Sequence, residues 1–128
     1  MNEKVSGPAK GAFARLLPLL YGDASVVRFV TLGLEGEIRT RTEAQVGARF
    51  EIVVGDSTLL IHSAQAFPDD MQATQGSVLV YVADAALAYR RGLALGLVSL
   101  QAPGLPSEDV VQCALSDAHG NVWYLASA

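Results

Sequence analysis

The chain repeats one pattern, and this repeat constrains the fold more strongly than any single motif. Residues 16–33 read LLPLLYGDASVVRFVTLG, and residues 77–94 read SVLVYVADAALAYRRGLA. Each copy has a short apolar run, an Asp and a helix-like segment, with Asp23 in the first copy matching Asp84 in the second. The repeat predicts a duplicated unit of one helix and several strands. It does not identify a ligand, because one architecture serves many functions.

The closing segments of the two copies are alike as well, GDSTLLIHSA at 55–64 and HGNVWYLASA at 119–128. A chain of 128 residues suits a single structural domain. Within it we expect four parts: an N-terminal tail at 1–13, a first module at 14–64, a linker at 65–76 and a second module at 77–128.

The composition and charge of the chain argue against several functional classes. The chain is 51% hydrophobic and 17% charged, which predicts an ordered globular protein. Its net charge of −4 and lack of a basic run argue against nucleic acid as a partner. Its apolar runs are too short to cross a membrane, and MNEKVSGPAKG at the N-terminus lacks the apolar centre of a signal peptide. We therefore expect a cytoplasmic protein without membrane contact.

The first module has a recognisable strand and helix order. Residues 14–21 are typical of a strand, although Pro18 removes one ladder donor, and Asp23 is placed to cap a helix. Apolar residues then follow at helical spacing, at Val26, Val27, Phe29, Val30 and Leu34. Alternating segments predict three further strands, at 37–43, 48–54 and 57–62.

The second module repeats this order. A strand at 77–82 precedes a helix that Asp84 caps and Gly96 ends. The predicted apolar face of this helix consists of Leu87, Ala88, Leu93 and Leu95. Three strands are predicted beyond it, at 97–101, 110–115 and 121–126, with a tight turn at 117–120 in which Gly120 allows a positive φ. Cys113 is the single cysteine, and its apolar setting predicts a buried thiol.

Tandem βαβββ units resemble the vicinal oxygen chelate superfamily of glyoxalases, bleomycin-resistance proteins and extradiol dioxygenases. The resemblance covers residues 14–128 and is carried by GDSTLLIH, VLVYVADAALAYRRGLALG and SDAHGNVWYLA. It implies an α+β fold, in which two tandem βαβββ modules form a curved, mixed and mostly antiparallel sheet with a central cup and the helices outside. It also implies a homodimer whose cup is lined partly by both chains.

Enzymes of this superfamily hold a divalent metal with His, Gln and Glu from the first, fourth, fifth and eighth strands. Counted from the capping Asp residues and the turn glycine, the matching positions are Leu16, Leu59 or Leu60, Ser77 and Tyr124. None of these is a usual ligand of a divalent ion. We therefore predict no metal site and no cofactor, which argues against the metal-dependent chemistry of the superfamily.

Strand alternation predicts which side chains line the cup. If Ser77 and Tyr124 point inward, Tyr81 does too, whereas Trp123 points toward the helices and serves as a packing residue. Two interpretations of Tyr81 and Tyr124 stay open. They either contact a flat ligand or fill the cup with their own rings.

Arg49 and His62 are further candidate ligand-binding residues. An inward Arg49 would bind a carboxylate or phosphate, and the alternative is a surface pair with Glu51 or a contact at the edge of a dimer. His62 ends an apolar strand and is the one histidine suited to acid–base work, unless it is simply bonded to backbone or water. His119, in a turn, is expected to be exposed. No catalytic constellation is evident.

Three functional hypotheses follow. The first is metal-free binding of a small hydrophobic or aromatic molecule in the cup. The second is a lyase, isomerase or dioxygenase that has relocated its metal or works without one, through His62, Arg49 or Glu51. The third is an interaction module whose cup is filled by its own side chains.

Overall fold

In the computed structural model, residues 14–43, 47–63, 73–104 and 111–127 are described. The first module begins with a short strand β1 (Leu19–Tyr21) and a helix α1 (Ala24–Arg28) that continues as a π-helical turn over Phe29–Gly33. Three strands follow it: β2 (Glu37–Glu43), β3 (Ala48–Val54) and β4 (Ser57–His62). The predicted N-terminal tail lies outside the described residues, as does most of the linker.

The second module has the same order. It consists of β5 (Ser77–Tyr81), α2 (Ala85–Ala94), β6 (Val98–Gln101), β7 (Val111–Ser116) and β8 (Val122–Ser127). Each module forms a four-stranded sheet, in the order β1-β4-β3-β2 or β5-β8-β7-β6. In each sheet the first pair is parallel and the other two are antiparallel. The fold is therefore α+β, as predicted. Its strands form two open sheets, and an isolated bridge joins Leu20 of β1 to Thr74, which precedes β5.

Strand register defines which positions of the two modules are equivalent. Leu19 pairs with Leu60 in the first sheet, and Leu79 pairs with Tyr124 in the second. Counting back two residues from Leu19 and from Leu79 makes Leu17 the equivalent of Ser77. Counting back from the two capping Asp residues predicts Leu16 instead. The difference arises because one residue fewer separates the strand from the capping Asp in the first module.

Strand β1 is much shorter than predicted. Pro18 precedes it and has no N–H to donate, so regular pairing with β4 begins at Leu19. The carbonyl of Pro18 still accepts a hydrogen bond of 2.8 Å from the N–H of Leu60. The preceding Leu16 is 90% exposed. Only the last three residues of the predicted 14–21 strand are therefore part of the sheet.

Both helices begin at the predicted Asp residues. The side chain of Asp23 accepts a hydrogen bond from the N–H of Ser25, and that of Asp84 from the N–H of Leu87. These bonds satisfy N–H groups that have no partner within the first helical turn. The apolar face predicted for the first helix is buried, at Val26, Val27, Phe29, Val30 and Leu34.

The buried face of α2 differs from the predicted one. Small residues and one aromatic residue form it, namely Ala85, Ala88, Tyr89 and Gly92. Leu93, predicted to be buried, is 41% exposed. Gly92 packs so closely that an added Cβ would overlap Cδ1 of Leu115 on β7. The helix therefore packs on the sheet mainly through small residues. A prediction that looks for large apolar side chains in the sequence does not find this face.

Residues of both modules share one hydrophobic core. The π-helical turn of the first module contacts α2 of the second, and the ring of Phe29 meets that of Trp123 edge to face, 5.3 Å apart. Trp123 is fully buried, as predicted for a packing residue. Cys113 is also buried, as predicted, and burial raises the pKa of its thiol. Each sheet has a second face that lies away from this core, and we call it the open face.

The closing turn joins the two modules through Asn121, which is fully buried. Its side-chain amide donates to the carbonyl of Tyr21 at 2.8 Å and accepts from the N–H of Gly76 at 2.9 Å. Gly120 has φ +84°, so the predicted positive φ is confirmed. No helix in the described ranges is long and apolar enough to span a bilayer.

Candidate functional site

The open face of the second sheet contains three of the predicted ligand-binding residues. Cross-strand partners point to the same face, so the pairings Ser77–Val122, Leu79–Tyr124 and Tyr81–Ala126 define it. Tyr81 is 77% exposed, Leu79 52% and Tyr124 45%. In a single chain these rings therefore do not fill a closed cup. They form an apolar, partly aromatic surface that is accessible to a ligand.

No charged residue occurs in any strand of this sheet. The strands read SVLVY, VSLQ, VQCALS and VWYLAS. The polar groups on its open face are the hydroxyls of Ser77, Ser116 and the two tyrosines, and the amides of Gln101 and Gln112. The sequence prediction missed both glutamines. The sequence signal that could have identified them is one glutamine in each of two neighbouring strands, β6 and β7, that contain no charged residue.

A depression of about 220 Å³ lies on this face. It is lined by Leu79, Gln101, Gln112, Cys113, Tyr124 and Leu125. Cys113 and Leu125 are buried on the opposite face of the sheet, so their backbone forms the floor. Small Ala114 separates Tyr124 from Gln101 in the same cross-strand row. The depression therefore has one aromatic wall, one aliphatic wall and two amide groups at its margin.

A larger groove of about 1090 Å³ lies between the two modules. Its walls are the β3–β4 hairpin, the residues before β1, strand β5 and helix α2. Arg91 of α2 and Glu35 of the first module form an ion pair of 3.1 Å in its lining. Tyr81 and Leu79 line this groove too, so the free edge of β5 connects it with the open face of the second sheet.

The open face of the first sheet holds the other two predicted residues. Arg49 and His62 are cross-strand partners on β3 and β4, and Nε of Arg49 donates to Nε2 of His62 at 2.6 Å. His62 is only 2% exposed. Nε2 of His62 is the acceptor of this bond. Tyr21 pairs with His62 on its other side.

Glu51 does not pair with Arg49, contrary to the surface-pair alternative. Its carboxylate is 3.5 Å from Nη1 of Arg39 and accepts from the hydroxyl of Thr40 at 3.3 Å. Arg49 instead contacts His62, so the sequence alternatives for Arg49 omitted its actual neighbour. That His62 lies directly across from Arg49 follows only from the register of the β3–β4 hairpin.

His119 lies in a small polar cluster and not on an exposed turn tip. Its ring packs edge to face on Tyr21, with centroids 5.1 Å apart, and its Nε2 is 3.2 Å from a carboxylate oxygen of Asp23. The Ser25 side chain, together with His119, lowers the pKa of Asp23 from 3.8 to about 2. The expectation that His119 is exposed is wrong, because the closing turn folds back onto the end of β1.

The residues at the superfamily's metal positions do not fit a divalent ion. Register places Leu17, Leu60, Ser77 and Tyr124 at the equivalent strand positions, and these offer two aliphatic groups and two uncharged hydroxyls. Within the described ranges, no group of three or more His, Cys, Asp or Glu side chains is arranged to hold a metal ion. No chemical step can be assigned to a metal at these positions.

The five predicted residues therefore fall into two groups. Ser77, Tyr81 and Tyr124 share the open face of the second sheet, and Arg49 and His62 share that of the first. Neither the depression nor the groove is lined by Arg49 or His62. In the part of the chain that the structure describes, neither of these two cavities is shared by the two groups.

Comparison with known proteins rests on structure alone. No family profile matches the sequence, and no curated protein matches it by sequence. The structure is similar to that of TioX from Micromonospora sp. ML1, with a TM-score of 0.70 and 16% sequence identity over 90% of this chain and 98% of the other.

Two further solved structures have the same arrangement. A glyoxalase-related enzyme from Fulvimarina pelagi matches with a TM-score of 0.65 and 14% identity, over 90% of this chain and 89% of the other. A glyoxalase/bleomycin resistance protein/dioxygenase family enzyme from Burkholderia phytofirmans PsJN matches with a TM-score of 0.64 and 12% identity, over 85% and 94%. At these identities the similarity shows a common fold.

Proposed function

Because the chain has the fold of the vicinal oxygen chelate superfamily, we propose that it is a glyoxalase/bleomycin-resistance-like protein that binds a small hydrophobic or aromatic molecule without a metal ion. The open face of the second sheet carries this proposal. It exposes Leu79, Tyr81 and Tyr124 side by side, with few polar groups around them. Concave, mostly apolar surfaces with a few polar groups are the usual form of a ligand site.

The proposal includes a homodimer. Among the described residues of one chain, the hydrophobic core packs against the other face of each sheet. A second copy that brings the open face of its first sheet over the second sheet would close the cup. Arg49 and His62 of one copy would then stand opposite Tyr81 and Tyr124 of the other. The proposed location is the cytoplasm, on the sequence argument given above.

Substitution of Tyr124 tests the binding surface. We expect Tyr124→Ala to weaken binding of Nile red, a neutral aromatic dye, about tenfold, because one ring of the platform is lost. Dye fluorescence in a titration measures the affinity, and circular dichroism checks that the fold is intact. Leu32→Ala removes a similarly exposed apolar side chain from the first helix and should leave the affinity unchanged. Equal affinities of wild type and Tyr124→Ala would reject this surface as the site.

The alternative function is an enzyme of the same superfamily with a relocated metal or metal-free acid–base chemistry. The contact between Arg49 and His62 is the observation that favours it, since it holds an imidazole beside a guanidinium. The same contact occupies the Nε2 lone pair, which a general base would need. Retention of one divalent ion per chain through purification, with activity lost on chelation, would favour the enzyme.

A further inference from the structure

The depression on the second sheet combines apolar side chains with two glutamine amides. Two cross-strand rows cross it, Leu79–Tyr124–Ala114–Gln101 and Tyr81–Ala126–Gln112. In both rows an alanine lies in the middle, with an aromatic residue on one side and a glutamine on the other. The depression is thus a shallow trough, with the Tyr124 ring and Leu79 along one wall and the primary amides of Gln101 and Gln112 along the other. The Tyr81 ring lies outside it and lines the groove between the modules.

The volume of the trough suits one ring system. At about 220 Å³ it is smaller than the roughly 300 Å³ at which complete sites for drug-sized ligands begin. The flat walls of Tyr124 and Leu79 favour a planar group, which gains from aromatic contact in addition to the area it buries. We therefore consider the trough a subsite for one planar end of the ligand.

The polar groups of the trough discriminate among planar rings. A glutamine amide offers both a donor and an acceptor, so the two glutamines together match a ring edge that has a carbonyl beside an N–H. A carboxylate placed here would meet no cation on its own sheet, because strands β5 to β8 contain no charged residue.

We propose that Gln101 and Gln112 select an uncharged planar ring with a lactam edge, bound against Tyr124 and Leu79. This inference rests on the proposed small-molecule function and specifies its ligand class. Each hydrogen bond to the lactam improves affinity by about two- to tenfold, since the net gain of a hydrogen bond in water is modest. The pair of bonds is expected to favour the lactam by about four- to a hundredfold over the same ring without it.

Three bicyclic probes of similar shape test the selectivity. Isoquinolin-1-one has the lactam edge, isoquinoline has a ring nitrogen but no N–H or carbonyl, and 1-naphthoate has a carboxylate. Equilibrium dialysis of the intact protein at pH 7.5 measures all three affinities. We expect isoquinolin-1-one to bind at least about fourfold more tightly than isoquinoline, with 1-naphthoate the weakest. Tighter binding of 1-naphthoate would overturn the inference and indicate that a cation, such as Arg49 of a second copy, reaches the ligand.

Glutamine variants identify the groups responsible. Gln101→Leu and Gln112→Leu should each lower the affinity for isoquinolin-1-one and leave that for isoquinoline unchanged. Gln75→Leu, at an exposed glutamine outside the trough, should change neither affinity. If both probes bind equally and the variants have no effect, the lactam preference is wrong but the proposed function stands. If neither probe nor Nile red binds, the proposed function itself is wrong.

Discussion

Asp117, at the residue scale, organises the closing turn of the second module. One carboxylate oxygen accepts from the N–H groups of His119 and Asn121, at 2.9 and 3.0 Å. The other accepts from the Asn121 amide and the Trp123 indole, both at 2.9 Å. Since Asn121 also bonds to Tyr21 and Gly76, this turn connects the second module to the first. The Asp and Asn of the motif DAHGN therefore have structural roles.

Replacing Asp117 with Asn should destabilise the protein by about 3 kcal/mol. Whichever way the new amide turns, its NH₂ group faces two N–H donors that have lost their acceptor. Guanidinium unfolding followed by fluorescence of the single tryptophan measures the free energy of unfolding. Asp56→Asn, in the exposed β3–β4 turn, is the control and should change stability by less than about 0.5 kcal/mol. Equal stabilities of the two variants would contradict this role of Asp117.

Asp23 gives a pH dependence whose sign follows from its lowered pKa. Because the folded pKa of about 2 lies below the ordinary 3.8, the ionised carboxylate stabilises the fold above pH 4. That stabilisation is lost as pH falls from 4 through 2. The effect should stay below about 1 kcal/mol, because the side chain is half exposed and solvent screens it.

Thermal melting between pH 5 and pH 2 tests this dependence. Asp23→Asn retains a capping side chain but does not titrate. The melting temperature of the wild type should therefore fall more steeply with acid than that of Asp23→Asn. Parallel curves would show that Asp23 does not carry the effect.

Helix α2, at the element scale, is positioned by its smallest residue. Gly92 lies in the last turn, where a side chain would meet Leu115 and the ring of Phe29. Helical glycine normally costs about 1 kcal/mol relative to alanine. Here that cost is offset by close packing of the helix on β7 and on the first module. The same close approach explains why the buried face of α2 lacks large aliphatic residues.

Gly92→Ala should lower stability by about 1 kcal/mol, because overpacking of roughly 1–3 kcal/mol exceeds the gain in helix propensity. Chemical denaturation measures the change. In a Leu115→Val background the overlap is relieved, so the same substitution should become neutral or stabilising. The difference between the two backgrounds is the coupling energy of a double-mutant cycle. Stabilisation by Gly92→Ala in the wild-type background would show that the helix does not depend on this close contact.

At the scale of the whole molecule, the two sheets differ in chemistry. Strands of the first sheet contain the arginines and glutamates of β2 and β3 and His62 of β4, whereas those of the second contain no charged residue. The helices of the two modules contact each other, and the shared core packs against one face of each sheet. In the proposed dimer, two copies would together form a cup with one polar wall and one apolar wall.

Native mass spectrometry of freshly purified, untagged protein tests this assembly. We expect a dimer without bound metal, carrying an organic molecule that co-purifies. A monomer at all micromolar concentrations would contradict the proposed assembly. One divalent ion per cup would instead favour the enzyme alternative. The mass of an organic adduct would limit the identity of the ligand directly.

The sequence by itself determined the order of elements, the helix caps and the alternation of strand faces. These features depend on neighbouring residues, such as Asp23 and Asp84 at the helix starts and Trp123 beside Tyr124. Tertiary structure decided what depends on distant residues: the short β1 strand, the small-residue face of α2, the contact of Arg49 with His62 and the trough between Tyr124 and the glutamines. Cross-strand register joins residues far apart along the chain, so local spacing could not reveal those contacts.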